Sequence, residues 1–272
     1  MFKKLLFITL IIFLPMGTFA QIIELHKAQD LLKYTENLGP NDLVSFDVKN
    51  VLFVPEDLIY NPAYKEEMKK YWQQLEQELG KEETDLLNSI MLLSYKSVLV
   101  DNNMPSVIKA LQAKKIKVIA LTSGHTGQFC HIESLEALRI KRLKELDIDF
   151  STSFPNLGTI ELLGKNGEIS FIFSEGVLFA SRSPKGEVIE IFLDKINFHP
   201  RKIIHVDNSM HKLETMQKFC ESHNIDFLGI HFTHIYKNIP PLNKKITDKK
   251  FDLLKTQKIW LSDEEVIKLI GK

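Results

Sequence analysis

The sequence has little cysteine, with Cys130 and Cys220 as the only two among 272 residues. This scarcity excludes the small, disulfide-rich class of secreted proteins, so stability must come from an apolar core. A bond between the two cysteines stays open. An excess of charge of either sign is also lacking, because 35 basic residues match 35 acidic ones. Without a positive field, nucleic acid is not an expected partner.

Long apolar runs are missing too, except at the N-terminus. There, two lysines precede apolar residues 5–14, and Thr18-Phe19-Ala20 is typical of a signal-peptide cleavage site. Pro15 interrupts the run before it reaches the about 20 residues that a membrane-spanning helix needs. We therefore predict a signal peptide over residues 1–20, export to the periplasm or the medium, and no membrane attachment after cleavage. Cleavage would leave 33 basic and 35 acidic residues, a net charge of −2.

Short apolar runs alternate with helical patterns along most of the remaining chain. The predicted strands are Leu43–Phe46, Lys117–Leu121, Lys202–Val206 and Asp226–Ile230. The predicted helices are Pro105–Lys114, Ile132–Glu145, Lys185–Lys195 and His211–Ser222. Strands that alternate with helices predict an α/β fold built on a doubly wound parallel sheet.

Two stretches break this alternation and are predicted to be insertions. Residues 56–100 carry helical patterns at Pro62–Leu79 and Glu82–Lys96, separated by Gly80, and we expect a helical cap. Residues 151–182 carry strand patterns at Glu168–Phe173 and Val177–Ala180, and we expect a β-hairpin.

The predicted domains follow from these boundaries. The α/β core would comprise residues 21–55 and 101–240, with the hairpin inside it, and residues 241–272 would form a C-terminal helical extension. Within that extension, Ser262 followed by Glu265 predicts a capping box at the start of a helix.

Polar side chains lie where the predicted strands end. Asp47 follows the first strand, Thr122 and Ser123 follow the second, and Asp207 with Asn208 follows the third, while Lys185 begins the helix before it. The carboxyl ends of parallel strands meet at one edge of a doubly wound sheet, so these side chains are expected to converge. Each one alone is explained by a turn, by a helix cap or, for Lys185, by a solvated position on a helix. Together, two carboxylates, a hydroxyl and a lysine suit Mg²⁺-dependent phosphoryl transfer.

In order and spacing, these residues resemble the motifs of the haloacid dehalogenase (HAD) superfamily, whose first motif is Asp-x-Asp-x-Thr/Val. The resemblance extends from about Leu43 to Ile230 and implies a Rossmannoid core. The cap, the hairpin and two sequences further resemble the DUF2608 group of uncharacterised bacterial proteins. Those sequences are Ser183-Pro184-Lys185-Gly186-Glu187-Val188 and Ile203-Ile204-His205-Val206-Asp207-Asn208-Ser209.

The resemblance implies a role for each residue. Asp47 would be the nucleophile that forms an aspartyl-phosphate, and Asp207 would help it to hold Mg²⁺ together with the backbone carbonyl of Lys49. The residues expected to bind phosphate are Thr122, Ser123 and Lys185. The positions expected around the metal are Asp47, Lys49, Asp207 and Asn208.

Two residues depart from the superfamily pattern. Lys49 replaces the aspartate that usually acts as general acid and base, a function worth about 10²–10⁴ in rate. Asn208 replaces a second aspartate that is frequent in the last motif. With negative charge lost, Lys49 could take the cation's place between Asp47 and Asp207. Two functions stay open: an exported phosphatase acting on a small phosphorylated molecule, or a catalytically degenerate HAD fold that binds a ligand or a partner protein.

Overall fold

An eight-stranded sheet forms the centre of the computed structural model, which describes residues 20–164, 167 and 170–271. The predicted signal peptide lies outside the described residues except for Ala20. The strands are β1 (Ala20–Leu25), β2 (Asp42–Phe46), β3 (Phe53–Pro55), β4 (Ser97–Leu99), β5 (Lys117–Thr122), β6 (Ile160–Leu163), β7 (Ser170–Ser174), β8 (Val177–Phe179), β9 (Lys202–Asp207) and β10 (Asp226–Phe232). The helices are α1 (Lys65–Leu79), α2 (Lys81–Ser94), α3 (Met104–Ala113), α4 (Leu135–Glu145), α5 (Lys185–Lys195), α6 (Met210–Ser222), α7 (Lys244–Gln257) and α8 (Asp263–Ile270).

The strand order in the sheet is β1-β10-β9-β2-β5-β8-β7-β6. The pairs from β1 to β8 are parallel, whereas β7 runs antiparallel to both β8 and β6. The predicted α/β fold with a doubly wound parallel sheet is therefore confirmed. Every residue of the central strand β2 is buried, and its side chains alternate between two apolar layers, with Val44 and Phe46 in one and Leu43 in the other.

The predicted hairpin is part of the main sheet. The turn between β7 and β8 contains Glu175 and Gly176, both with positive φ, as tight hairpin turns require. A Cβ on Gly176 would lie 2.3 Å from the carbonyl oxygen of Phe150, so glycine is needed there on steric grounds as well. Because β8 pairs with β5, the hairpin extends the sheet. The predicted strand start at Glu168 lies outside the described residues.

The helices α1 and α2 lie within residues 56–100, the region predicted to be a cap and called the cap here, and the short antiparallel pair β3–β4 joins it to the core. Gly80, with a φ of 81°, separates the two helices. The C-terminal extension packs against this cap: Phe251, Leu254 and Trp260 share an apolar cluster with cap residues such as Leu87. The predicted capping box is present at the start of α8.

A charged cluster is buried beneath the cap. Lys250 of α7 has no exposed surface and forms ion pairs with Asp57 and with Asp263, the latter at 2.7 Å. Trp260 Nε1 donates a hydrogen bond of 2.9 Å to Asp57 Oδ2. The cap is thus attached to the C-terminal extension by charge as well as by apolar contact.

Among the described residues, no helix combines the length and the apolar character needed to span a membrane. Both cysteines are free thiols: Cys130 is exposed and Cys220 is buried in the core.

Candidate active site

Three of the predicted residues form a buried ion-pair cluster at the carboxyl ends of the central strands. Lys185 Nζ lies 2.9 Å from Asp47 Oδ1 and 2.6 Å from Asp207 Oδ2. None of the three residues is more than 3% exposed. Buried charges are costly unless they are paired, and in a sheet of this type ligands bind at this edge. The cluster is therefore the candidate active site.

Backbone geometry fixes the two carboxylates. The Asp47 amide donates a hydrogen bond of 2.8 Å to the Val206 carbonyl, which keeps Asp47 in register with β9 although β2 has ended. Asp207 Oδ1 accepts a hydrogen bond of 3.0 Å from the Ser209 amide at the start of α6. Burial raises the pKa of Asp207, but Lys185, His205 and Lys212 outweigh it and hold that pKa well below its usual value. Asp207 is an anion at neutral pH.

Lys212, in the first turn of α6, was not among the predicted site residues. Its Nζ lies 3.2 Å from Asp47 Oδ2 and 4.0 Å from Asp207 Oδ1. Burial lowers the pKa of Lys212, but the two carboxylates outweigh it and raise the pKa above the usual value. The expectation that Lys49 would take the cation's place is therefore wrong for this structure, because Lys212 lies between the carboxylates.

Lys49 lies two residues after Asp47 and, among the described residues, makes no ion pair with Asp47 or Asp207. Part of Lys49 reaches solvent, yet the surrounding protein lowers its pKa by desolvation. Arg139 lowers this pKa further, and Asp47 acts in the opposite direction. An ammonium group with a lowered pKa releases its proton more readily than an ordinary lysine.

Thr122 and Ser123 lie at the same edge of the sheet. Ala120 pairs with Phe46, so Thr122, two residues further along, lies close to the level of Asp47. Thr122 Oγ1 accepts a hydrogen bond of 3.2 Å from the Gly124 amide, which fixes the loop after β5. Thr122 is thus a buried hydroxyl at the edge of the sheet where Asp47 lies, and its role in binding phosphate stays a prediction.

His205 is a further buried neighbour that sequence reasoning did not select. Its Nδ1 lies 2.9 Å from Ser45 Oγ, and its Nε2 lies 3.3 Å from Asp207 Oδ2. Burial lowers the pKa of His205, and Lys185 lowers it further. Neutral His205 can donate from Nε2 to Asp207 and accept from Ser45 at Nδ1, so it orients the Asp207 carboxylate.

The comparisons with known proteins agree with the motif pattern. The family model described as "Protein of unknown function (DUF2608)" matches residues 24–267. The chain belongs to the DUF2608 family. An uncharacterised protein of Rickettsia conorii is 32% identical over 257 residues, covering 88% of this chain and 85% of the relative. A Chlamydia pneumoniae relative named "Putative outer membrane protein" is 25% identical over 258 residues, covering 90% and 88%.

A solved structure described as a "putative haloacid dehalogenase-like hydrolase" from Burkholderia xenovorans is a more distant neighbour. It has 13% identity and a TM-score of 0.34, and the match covers 80% of this chain and 98% of the other. This likeness is too distant to bear on the function.

The donors in this DUF2608 protein do not fit a magnesium site. Mg²⁺ prefers several carboxylate or water oxygens in octahedral geometry, but both Asp47 oxygens already contact lysines. Asn208, at the position of an expected ligand, donates its amide to the Tyr236 hydroxyl at 3.0 Å. Among the described residues, no group of three or more His, Cys, Asp or Glu side chains is arranged to hold a metal ion.

The charges around the cluster favour an anion instead. The two carboxylates are balanced by Lys185 and Lys212. The side chains of Lys49 and Arg139 add further positive charge that interacts with Asp47. A divalent cation would add to this positive excess, whereas a phosphate dianion would neutralise it.

Proposed function

We propose that this protein is an exported phosphate-ester hydrolase of the HAD type in which lysine ammonium groups take the place of the divalent cation. The observation that supports it is the placement of Lys185 and Lys212 on the two oxygens of the buried Asp47 carboxylate. An ester phosphate approaching Asp47 would meet two fixed positive charges, which is the electrostatic arrangement that phosphoryl transfer requires.

The proposed reaction has two steps. An Asp47 oxygen attacks phosphorus, the ester P–O bond breaks, and the leaving oxygen takes a proton from the Lys49 ammonium. A water molecule then attacks the aspartyl-phosphate, releases inorganic phosphate and returns a proton to the Lys49 amine. Throughout, Lys185, Lys212 and the Thr122 hydroxyl would bind phosphate oxygens. The lowered pKa of Lys49 suits this exchange, since proton transfer is most effective when the pKa lies near the working pH.

One feature favours a second candidate, a protein that binds phosphorylated ligands without turnover. The ion pairs of both Asp47 oxygens reduce the electron density available for attack. In that case the cluster would retain phosphate affinity, but no aspartyl-phosphate would form.

The deciding experiment measures hydrolysis of an aryl phosphate and binding of inorganic phosphate by residues 21–272. It is run in EDTA and in Mg²⁺, beside Asp47→Asn. Hydrolysis in EDTA that disappears in Asp47→Asn is the expected result. Phosphate binding without hydrolysis, and without a trapped phosphoenzyme, would favour the binding protein. Hydrolysis that depends strictly on Mg²⁺ would contradict the role given to the lysines.

Export is part of the proposal and is supported by the N-terminal sequence pattern and by the name of the chlamydial relative. If residues 1–20 are removed on export, mass spectrometry of the exported protein will give an N-terminus at Gln21. A chain that retains Met1 or the following residues would contradict it.

A further inference from the structure

Arg139 of α4 lies against the loop that follows β5. A Cβ placed on Gly124 would be 3.2 Å from the guanidinium carbon of Arg139, so the guanidinium packs directly on the Gly124 backbone. Arg139 Nε is buried and has no hydrogen-bond partner among the described residues. A buried donor without a partner carries a desolvation cost, and binding of an acceptor removes that cost.

A second arginine is fixed beside the same loop by the backbone. The Ser181 amide donates to the Gly124 carbonyl, and the Arg182 amide donates to the Ser123 carbonyl, both at 3.2 Å. Ser181 and Arg182 have φ values of 44° and 68°. Two successive non-glycine residues in this region are uncommon, and such strain is concentrated at functional sites.

These two arginines and Lys49 form a group of cationic side chains near the active site, called the cationic rim and defined here as Lys49, Arg139 and Arg182. Burial lowers the pKa of His125, and Arg182 and Arg139 lower it further, so both guanidinium groups are close to this ring. Arg139 also lowers the pKa of Lys49. Asp47 raises the pKa of Arg139, but the Asp47 carboxylate is already paired with two lysines.

Among the described residues, no carboxylate forms an ion pair with Lys49, Arg139 or Arg182, so the rim is a group of like charges without a carboxylate to balance it. One phosphate dianion bound at Asp47 would offset the excess at the cluster, but Arg139 Nε would still lack an acceptor among the described residues. Guanidinium groups bind carboxylate and phosphate oxygens with matching geometry.

We infer that the cationic rim is a subsite for a second acidic group, so the substrate is a small phosphate ester that also carries a carboxylate or a second phosphate. The phosphate to be transferred binds at Asp47, Lys185 and Lys212, and the second group binds to Arg139 and Arg182. This inference rests on the proposed function, because it assigns a substrate class to the same site.

The test measures equilibrium binding of two matched series of phosphonates, which resist hydrolysis. One series carries a terminal carboxylate behind one to five methylene groups, and the other consists of alkyl phosphonates of equal length. In the unmodified protein, at least one phosphonate with a terminal carboxylate is expected to bind about tenfold to a hundredfold more tightly than the alkyl phosphonate of equal length. In Arg139→Gln this ratio is expected to fall to about one.

Lys141→Gln is the matched control, because Lys141 lies on the same helix and pairs with Glu145 on the exposed surface. It removes the same charge and should leave the ratio high. Arg139→Gln also removes a buried unpartnered donor, so its melting temperature without ligand should not fall, which separates a binding role from a structural one.

The outcomes distinguish the two proposals. If alkyl phosphonates bind and no carboxylate improves on them, or if the preference survives in Arg139→Gln, the second subsite is refuted and the proposed function stands. If neither the phosphonates nor inorganic phosphate bind, both are overturned.

Discussion

Removing Lys212 is expected to make the site receptive to Mg²⁺. The Lys212 ammonium lies 3.2 Å from Asp47 and 4.0 Å from Asp207, where a divalent cation would have to bind. At about 4 Å and an effective dielectric constant of about 20, two unit charges repel by about 4 kcal/mol, and a divalent ion beside an ammonium by about twice as much. Mg²⁺ must therefore displace Lys212 and break both ion pairs. In Lys212→Ala this obstacle is gone.

The assay is thermal unfolding of Lys212→Ala and of the unmodified protein, with about 10 mM Mg²⁺ or with EDTA at matched ionic strength. A dissociation constant of about 1 mM in the variant would stabilise it by about 1.4 kcal/mol. For a chain of this length that raises the melting temperature by about 3–6 °C. The unmodified protein should shift by less than about 1 °C, and Lys218→Ala, an exposed change on the same helix, should behave like it. Equal shifts in the two main proteins would refute the role of Lys212.

Three further predictions concern the rest of the molecule. Lys250→Met leaves Asp57 buried without its cation, so denaturant unfolding should give a loss of about 3–5 kcal/mol; a loss below about 1 kcal/mol would contradict this. Exposed Cys130 should react quickly with a thiol reagent in the native protein. Burial raises the pKa of Cys220 to about 12, so Cys220 should react only after unfolding. If neither cysteine reacts under either condition, the two form a disulfide and the prediction is wrong. Because the folded-state pKa of Asp207 is lowered, its contribution to stability is present above about pH 4 and lost as the pH falls toward the folded-state value. The free energy of unfolding of Asp207→Asn should therefore fall less steeply with acid than that of the unmodified protein. An equal pH dependence in the two proteins would contradict this.

Much of the fold could be predicted because local patterns decide it. The strand β5 contains a continuous apolar run, residues 118–121, and α5 has the predicted bounds Lys185–Lys195 because Pro184 marks its start. The strand β1 was missed, since its sequence Ala-Gln-Ile-Ile-Glu-Leu starts at the last residue of the predicted signal peptide and is half-buried at the sheet edge. It forms by pairing with β10, more than 200 residues away in the sequence, which no local pattern reveals.

The active site was predictable where side chains lie at strand ends or, as with Lys185, at the start of a helix that matches the superfamily pattern. Asp47 and Asp207 are of the first kind, and the structure brings them together through Lys185. Lys212 and Arg139 lie within helices, where a lysine or arginine is usually solvated, and their direction depends on how each helix crosses the sheet. One signal was available for Lys212: it is the third residue of a helix that begins directly after the Asp207 loop, so it lies close to the strand end.

The contacts at the two ends of the described chain have a consequence for the order of folding. As a chain crosses a membrane or leaves the ribosome N-terminus first, β1 has no strand to pair with until β10 has emerged. The cap likewise lacks Phe251, Leu254 and Trp260, and Lys250 for the buried Asp57, until the last helices arrive. Both the sheet edge and the cap therefore stay incomplete during most of synthesis. The native state can form only when nearly the whole chain is on the same side of a membrane. This would keep the polypeptide unfolded during any passage across that membrane.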